Sequence, residues 1–187
     1  PFGIDALSAW FMVIVLGVGA VTATFGVTYL GRERAYRPPG AAHLGLALLL
    51  VAMAGVVTAR AILAFLVAWE IMAVAAYLLI IFEYDRPGVR RAGLIYLVLT
   101  HAGTLALIAM FATWSGGDIG RTFESLATAH ALGPARAGLL LTMALIGFGI
   151  KAGVIPGHFW LPGAHAAAPS HISAVLSGVM LKVGVYG

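Results

Sequence analysis

Residues Gly147-Phe148-Gly149-Ile150-Lys151-Ala152-Gly153-Val154-Ile155-Pro156-Gly157 set one ionisable amine in an apolar run and end that run about one turn later. Pro156 removes a backbone donor and frees a carbonyl roughly a turn earlier, so the helix carrying Lys151 is expected to be kinked or interrupted just beyond the lysine. A broken helix at membrane depth is tolerated where it lines a cavity or is buried in protein. Gly149, Gly153 and Gly157 recur every four residues, a spacing that invites close helix packing. The alternative for Lys151 is snorkelling, since its stem can reach an interface from about one or two turns inside.

The surrounding composition says which solvent this run meets. Of 187 residues, 61% are hydrophobic and 10% charged, and the mean hydropathy is +1.01, far beyond what one water-soluble core can hide. The expected class is all-α integral membrane, multi-pass, in the cell inner (plasma) membrane. Apolar runs and their breakers predict six spans, at 5–30, 42–58, 61–82, 92–114, 137–155 and 170–187. Thr58, Ala59 and Arg60 lead straight from the second run into the third, which makes those helices antiparallel neighbours. The 115–136 segment, with Asp118, Arg121, Glu124 and His130, is expected to hold a short interfacial helix.

Arg32, Arg34, Arg37, Arg86, Arg90 and Arg91 fall on one face of the membrane, and Arg60, Arg121 and Arg136 on the other. That bias makes the first face cytoplasmic. The net charge of +4 arises from these short loops rather than from a basic helix face, so no nucleic-acid partner is expected. Without cysteine there are no disulfides, thiolate metal ligands or cysteine nucleophiles. The chain starts at Pro1 without a signal-peptide pattern and stops at Gly187 within an apolar run. It is therefore expected to be one transmembrane domain, 1–187, of a protein that continues beyond 187.

Against this background a few side chains stand out by cost. Glu70 lies mid-span in Phe65-Leu66-Val67-Ala68-Trp69-Glu70-Ile71-Met72. A charged residue at a helix centre weighs roughly 2.5–3.5 kcal/mol against insertion, so an ionisable group there marks function by default, a packed and protonated carboxyl being the alternative. Lys182 sits about three turns into the last run, too deep to snorkel easily, and is expected to be buried. An amine in low dielectric exchanges its proton more readily, which suits a relay. His101, in Leu97-Val98-Leu99-Thr100-His101, suits a proton carrier and a hydrogen-bonded core residue equally well. His158, His165 and His171 are accessory candidates whose spacings of seven and six do not share one helical metal-binding face, so no metal is expected. Trp114 and Trp160 read as interface-belt residues, and Arg60 as an anchor at the membrane edge.

The run from Lys151 through Pro156-Gly157-His158-Phe159-Trp160-Leu161-Pro162 to Ala168-Pro169-Ser170-His171 resembles the antiporter-like membrane subunits of the complex I and group 4 hydrogenase superfamily. Phe2-Gly3-Ile4-Asp5-Ala6-Leu7-Ser8 resembles that family's opening motif, and Trp69-Glu70 its Trp-Glu pair. Within the family, Ser177-Gly178-Val179-Met180-Leu181-Lys182-Val183-Gly184-Val185-Tyr186-Gly187 looks most like hydrogenase-4 component B, also called formate hydrogenlyase subunit 3.

The resemblance implies the first half of an antiporter-like bundle in which Glu70 pairs with Lys151 and Lys182 passes the proton onward, with His101 beside the path. It also implies a subunit without cofactors of its own, in which redox chemistry belongs to partner membrane and peripheral subunits of a hydrogenase or NADH-quinone oxidoreductase-type complex. The coupling ion would be the proton, with sodium as the other candidate. Two readings compete with it: a subunit of a multisubunit cation/proton antiporter working without redox partners, and a non-pumping membrane scaffold.

Overall fold

A computed structural model describes residues 2–32, 39–128 and 132–187. Apolar side chains in lipid leave the backbone no partner but itself, and the chain answers with helices almost throughout. They are α1 (Ala6–Arg32), α2 (Pro39–Thr58), α3 (Ile62–Ile80), α4 (Val89–Ser115), α5 (Phe123–Ala127), α6 (Pro134–Ala152), α7 (Trp160–Ala167), α8 (Ser170–Val175) and α9 (Leu181–Tyr186). A 3-10 turn at Gly157–Phe159 precedes α7, and a π-helical segment at Leu176–Met180 joins α8 to α9.

Among the described residues five spans are long and apolar enough to cross a membrane, and the shorter apolar helix Ser170–Tyr186 is the sixth run expected from the sequence. Outward-facing Trp10, Val13, Leu16, Leu141, Leu145 and Val98 fit a hydrocarbon surround. The expected interfacial helix between the fourth and fifth spans is α5, capped by the Thr122 hydroxyl, which accepts from the Ser125 N–H. The arginines at 34 and 37 and His130 lie outside the described residues.

The helix order follows from which faces carry small residues. Helix α3 packs along α2, as the tight turn requires, while α4 lies against both α3 and α6. A close crossing joins α4 to α6, where a Cβ on Gly103 would stand 3.2 Å from the Gly147 carbonyl and one on Gly147 2.9 Å from the Gly103 carbonyl. The Gly149-Gly153-Gly157 series does something else. It sits at the end of α6, where Gly153 (φ 71°) takes the left-handed conformation that caps a helix.

The expected break thus falls immediately after Lys151 and Ala152. The 156–169 segment differs from the simple connection expected: after the cis Ile155–Pro156 peptide it turns back into helix, so α6 and α7 form one interrupted span against α4. Carbonyls freed by the break are taken by the protein. Gly153 N–H reaches both Gly149 and Ile150, Val154 N–H reaches Gly149, and Trp160 Nε1–H donates to the Ile150 carbonyl at 2.8 Å.

On the face opposite the 81–88 turn, Phe2 pairs with Ala59 and Ala61 with Thr122 through short antiparallel bridges. Arg60 there is more than an anchor. Its Nη1 donates to Asp5 Oδ2 at 2.8 Å, Ser8 donates to Asp5 Oδ1 through both N–H and Oγ, and Tyr186 donates to the Val57 carbonyl at 2.8 Å. Ser8 N–H and the Arg60 guanidinium hold the Asp5 carboxyl well below the usual carboxylate range.

Candidate functional site

Lys151 occupies the last turn of α6 with its amine turned inward, 2% exposed, in a chamber of aromatic side chains. Its Nζ donates to the Tyr96 hydroxyl at 3.1 Å and stands 5.4 Å from the Tyr96 ring and 5.7 Å from the Trp69 ring. Ring faces at that range favour a cation, so the chamber accommodates the ammonium as well as the amine. Tyr96 is fully buried; its hydroxyl also contacts Met180 Sδ at 3.9 Å, and Trp160 stacks edge-on against its ring at 5.1 Å. Trp160 is therefore a wall of this chamber rather than an interface-belt residue, because its indole closes the helix break.

Helix α9 seals the other side. A Cβ on Gly184 would stand 2.7 Å from the Ala152 nitrogen and 3.0 Å from the Ala152 Cα, so the two backbones meet directly beside the lysine. Phe148 joins α6 to α3 through ring contacts with Trp69 at 5.5 Å and Phe65 at 6.1 Å.

The Glu70 carboxylate takes a different partner from the one the resemblance implies. Its Oε2 lies 3.2 Å from His101 Nε2 on α4, and His101 Nδ1 lies 2.9 Å from the Leu97 carbonyl. That second contact makes Nδ1 the protonated nitrogen in either charge state, leaving Nε2 to face the carboxylate. Glu70 Oε1 is buried with no hydrogen-bond partner. The expected direct Glu70–Lys151 contact is replaced by coupling through space: the Glu70 charge acts on both Lys151 and Tyr96. The physical reason is the position of α4. It lies against both α3 and α6 and presents His101 to one and Tyr96 to the other, so each of the costly residues meets an α4 side chain first.

Lys182 is a correction of another kind. The sequence places it inside a helix and predicts burial, but it is exposed on this chain, with Nζ donating to the Ser177 carbonyl at 2.7 Å. The π-helical segment just before it shifts the register and loosens the carbonyl that the lysine then caps. The accessory histidines go separate ways. His165 Nδ1 meets Ser173 Oγ at 2.7 Å, His158 stacks on Phe159, and His171 is buried near α1. Tyr96 was missed from sequence, since a tyrosine in an apolar helix carries no cost that would single it out; its spacing of five from His101 on one helix was the available signal.

The chain as a whole is similar to known proteins. Residues 59–187 match the transmembrane family described as NADH:quinone oxidoreductase/Mrp antiporter. The chain belongs to this family. Hydrogenase-4 component B of Escherichia coli K12 is 34% identical over 185 residues, covering 98% of this chain and 27% of that protein. An uncharacterised protein of Mycobacterium tuberculosis is 38% identical over 184 residues, covering 98% of this chain and 28% of the relative. The structure of the Mrp complex from Dietzia sp. DQ12-45-1b superposes with a TM-score of 0.83 at 25% identity, over 99% of this chain and 20% of that one. The chain thus spans less than a third of the length of these relatives. As a member of this transmembrane family with several apolar spans, it is a multi-pass protein of the inner membrane.

Proposed function

We propose that this chain is the proton-conducting first half of an antiporter-like subunit in a multisubunit membrane complex of the hydrogenase or NADH-quinone oxidoreductase type. The observation that carries the reading is Lys151, an amine buried beside a helix break, solvated by one hydroxyl and two ring faces, and coupled to a carboxylate it does not touch. A direct ion pair would hold its proton firmly. An amine at one remove from its counter-charge is adjustable: when Glu70 is ionised the ammonium is favoured, and when Glu70 is neutral it is less so. Movement of charge at Glu70 and His101 therefore loads or unloads Lys151 through Tyr96. Lys182, exposed one helix away, receives the proton for the next segment of the path.

The test uses the whole complex in vesicles, with Glu70→Gln and Lys151→Met assayed for proton translocation alongside electron transfer and complex assembly. Loss of pumping with retained assembly is the expected result; undiminished pumping by either variant sinks the relay. The likeness to an Mrp complex supports a second reading, cation/proton antiport without redox partners. Sodium-dependent proton movement in vesicles lacking any electron donor would favour it.

A further inference from the structure

On the face opposite the 81–88 turn, two cavities meet at one arginine. The first, about 390 Å³, lies between helix ends and is walled by Val56, Phe65, Phe111, Trp114, Phe148 and Tyr186. The second, about 500 Å³, lies along α5 and is walled by Arg60, Thr122, Phe123, Glu124 and Ala127. Arg60 and Phe123 line both, so an apolar, aromatic space and a polar, charged one share a wall. Pockets of this size between helices, lined by rings with a few polar groups at one end, are of the kind that take a small ligand. An apolar cavity stays dry and accepts an apolar guest, and in a bilayer the abundant apolar guest is an acyl chain.

The charges beside that space say which head group belongs to the chain. The Arg60 side chain is 38% exposed and spends one Nη on Asp5. A guanidinium carries five N–H donors, which leaves others for a phosphate. Glu124 is exposed in the same polar cavity, and its carboxylate has no partner among the described residues. Asp5 already balances Arg60, so the polar cavity has no surplus of positive charge. A head bearing only negative charge would meet Glu124 unfavourably, whereas one bearing a phosphate and an ammonium satisfies both walls. We propose that the joined cavities bind one amine-headed phospholipid, of the phosphatidylethanolamine type. Its acyl chain lies among Phe65, Phe111 and Phe148, its phosphate on Arg60 and its ammonium on Glu124.

The complete complex in lipid nanodiscs tests it, photolabelled with a phosphatidylethanolamine that carries a diazirine near the end of one acyl chain and mapped by peptide mass spectrometry. Label is expected to concentrate on the peptides holding Phe65, Phe111 and Phe148. Unlabelled phosphatidylethanolamine should compete about tenfold better than phosphatidylglycerol, the weight of one hydrogen bond to a charged group. Glu124→Gln, at the surface, is expected to abolish that preference while the label stays in the cavity. Ala144 also lines the apolar cavity, and Ala144→Phe is expected to cut labelling there by about tenfold, the bulk of a ring taking the place of the chain. Labelling of the outward-facing Trp10 and Leu141 should be unchanged and serves as the internal control. Label confined to such lipid-facing residues would mean that protein fills the cavity in the whole assembly, and overturns the proposal. Equal competition by the two lipids in the wild type overturns it too, as does wild-type cavity labelling in an assembled Ala144→Phe complex. Should Ala144→Phe fail to assemble, the wild-type competition and Glu124→Gln decide.

Discussion

The Glu70 carboxylate lies 3.2 Å from His101 Nε2, and the two side chains remain 33% and 45% exposed on this chain. They form a hydrogen-bonding pair at the edge of the bundle, while Lys151 keeps to its interior. A hydrogen bond to a charged group is worth roughly 1.5–3 kcal/mol, and partial exposure places this one at the low end, about tenfold in population. His101→Ala is accordingly expected to slow proton translocation by about tenfold and to lower the yield of assembled complex. His101→Gln, which can still donate to the carboxylate but cannot titrate, should rescue complex stability without restoring the rate. Vesicle pumping and quantified assembly read the two effects separately, and a His101→Gln complex pumping at the wild-type rate would remove the histidine from the path.

Tyr96→Phe tests the link to Lys151. The ring contact with Trp160 survives, but the buried amine loses its hydrogen bond. Leaving a buried donor unsatisfied costs about 1–3 kcal/mol, so a lower thermal midpoint of the complex is expected together with slower pumping. The combined variant with Lys151→Met should be no less stable than Tyr96→Phe alone, because the orphaned group is then absent. Additive losses of stability would show that Tyr96 acts elsewhere.

The legible part of this fold was the part governed by single residues. Apolar runs marked the spans, the Thr58-Ala59-Arg60 turn paired α2 with α3, and Pro156 announced the interruption after Lys151. What escaped depended on neighbours. Whether Glu70 reaches Lys151 turns on which α4 side chain each of them meets, His101 for one and Tyr96 for the other, and no periodicity reports the lateral order of helices. The register slip at Leu176–Met180 turned Lys182 outward, and a π-helical segment has no composition of its own. Trp160 read as a belt residue because its depth depends on the helix regained after the break.

Gly184 makes a prediction about backbone approach. Because a methyl group there would meet the main chain of Ala152 at 2.7 Å, no side-chain rotation can relieve it, and overpacking of this kind costs about 1–3 kcal/mol. Gly184→Ala is expected to lower the yield of assembled complex and to disturb Lys151 next door. Gly178→Ala, where nothing lies within 4 Å, is expected to assemble normally. Equal yields from the two variants would contradict the close packing of α9 on α6.

The last prediction concerns the network of Asp5, Ser8 and Arg60, which ties the start of α1 to the turn between α2 and α3. The Asp5 carboxyl is held below its ordinary range, first by Ser8 and then by Arg60, so its stabilising contribution is fully present above the unfolded value of about 3.9. It is lost only as pH falls through the lower folded value. Acidification of that face to about pH 5 is therefore expected to leave the tie closed, since the carboxylate stays ionised throughout. Asp5→Asn is expected to increase protease cleavage near the chain's first turn, with a difference from wild type that is constant from neutral pH down to about pH 5 and narrows below about pH 4. Limited proteolysis of the complex in vesicles across that range reads the difference directly. A gap that closes between about pH 7 and 5 would mean that a histidine, rather than Asp5, controls the tie.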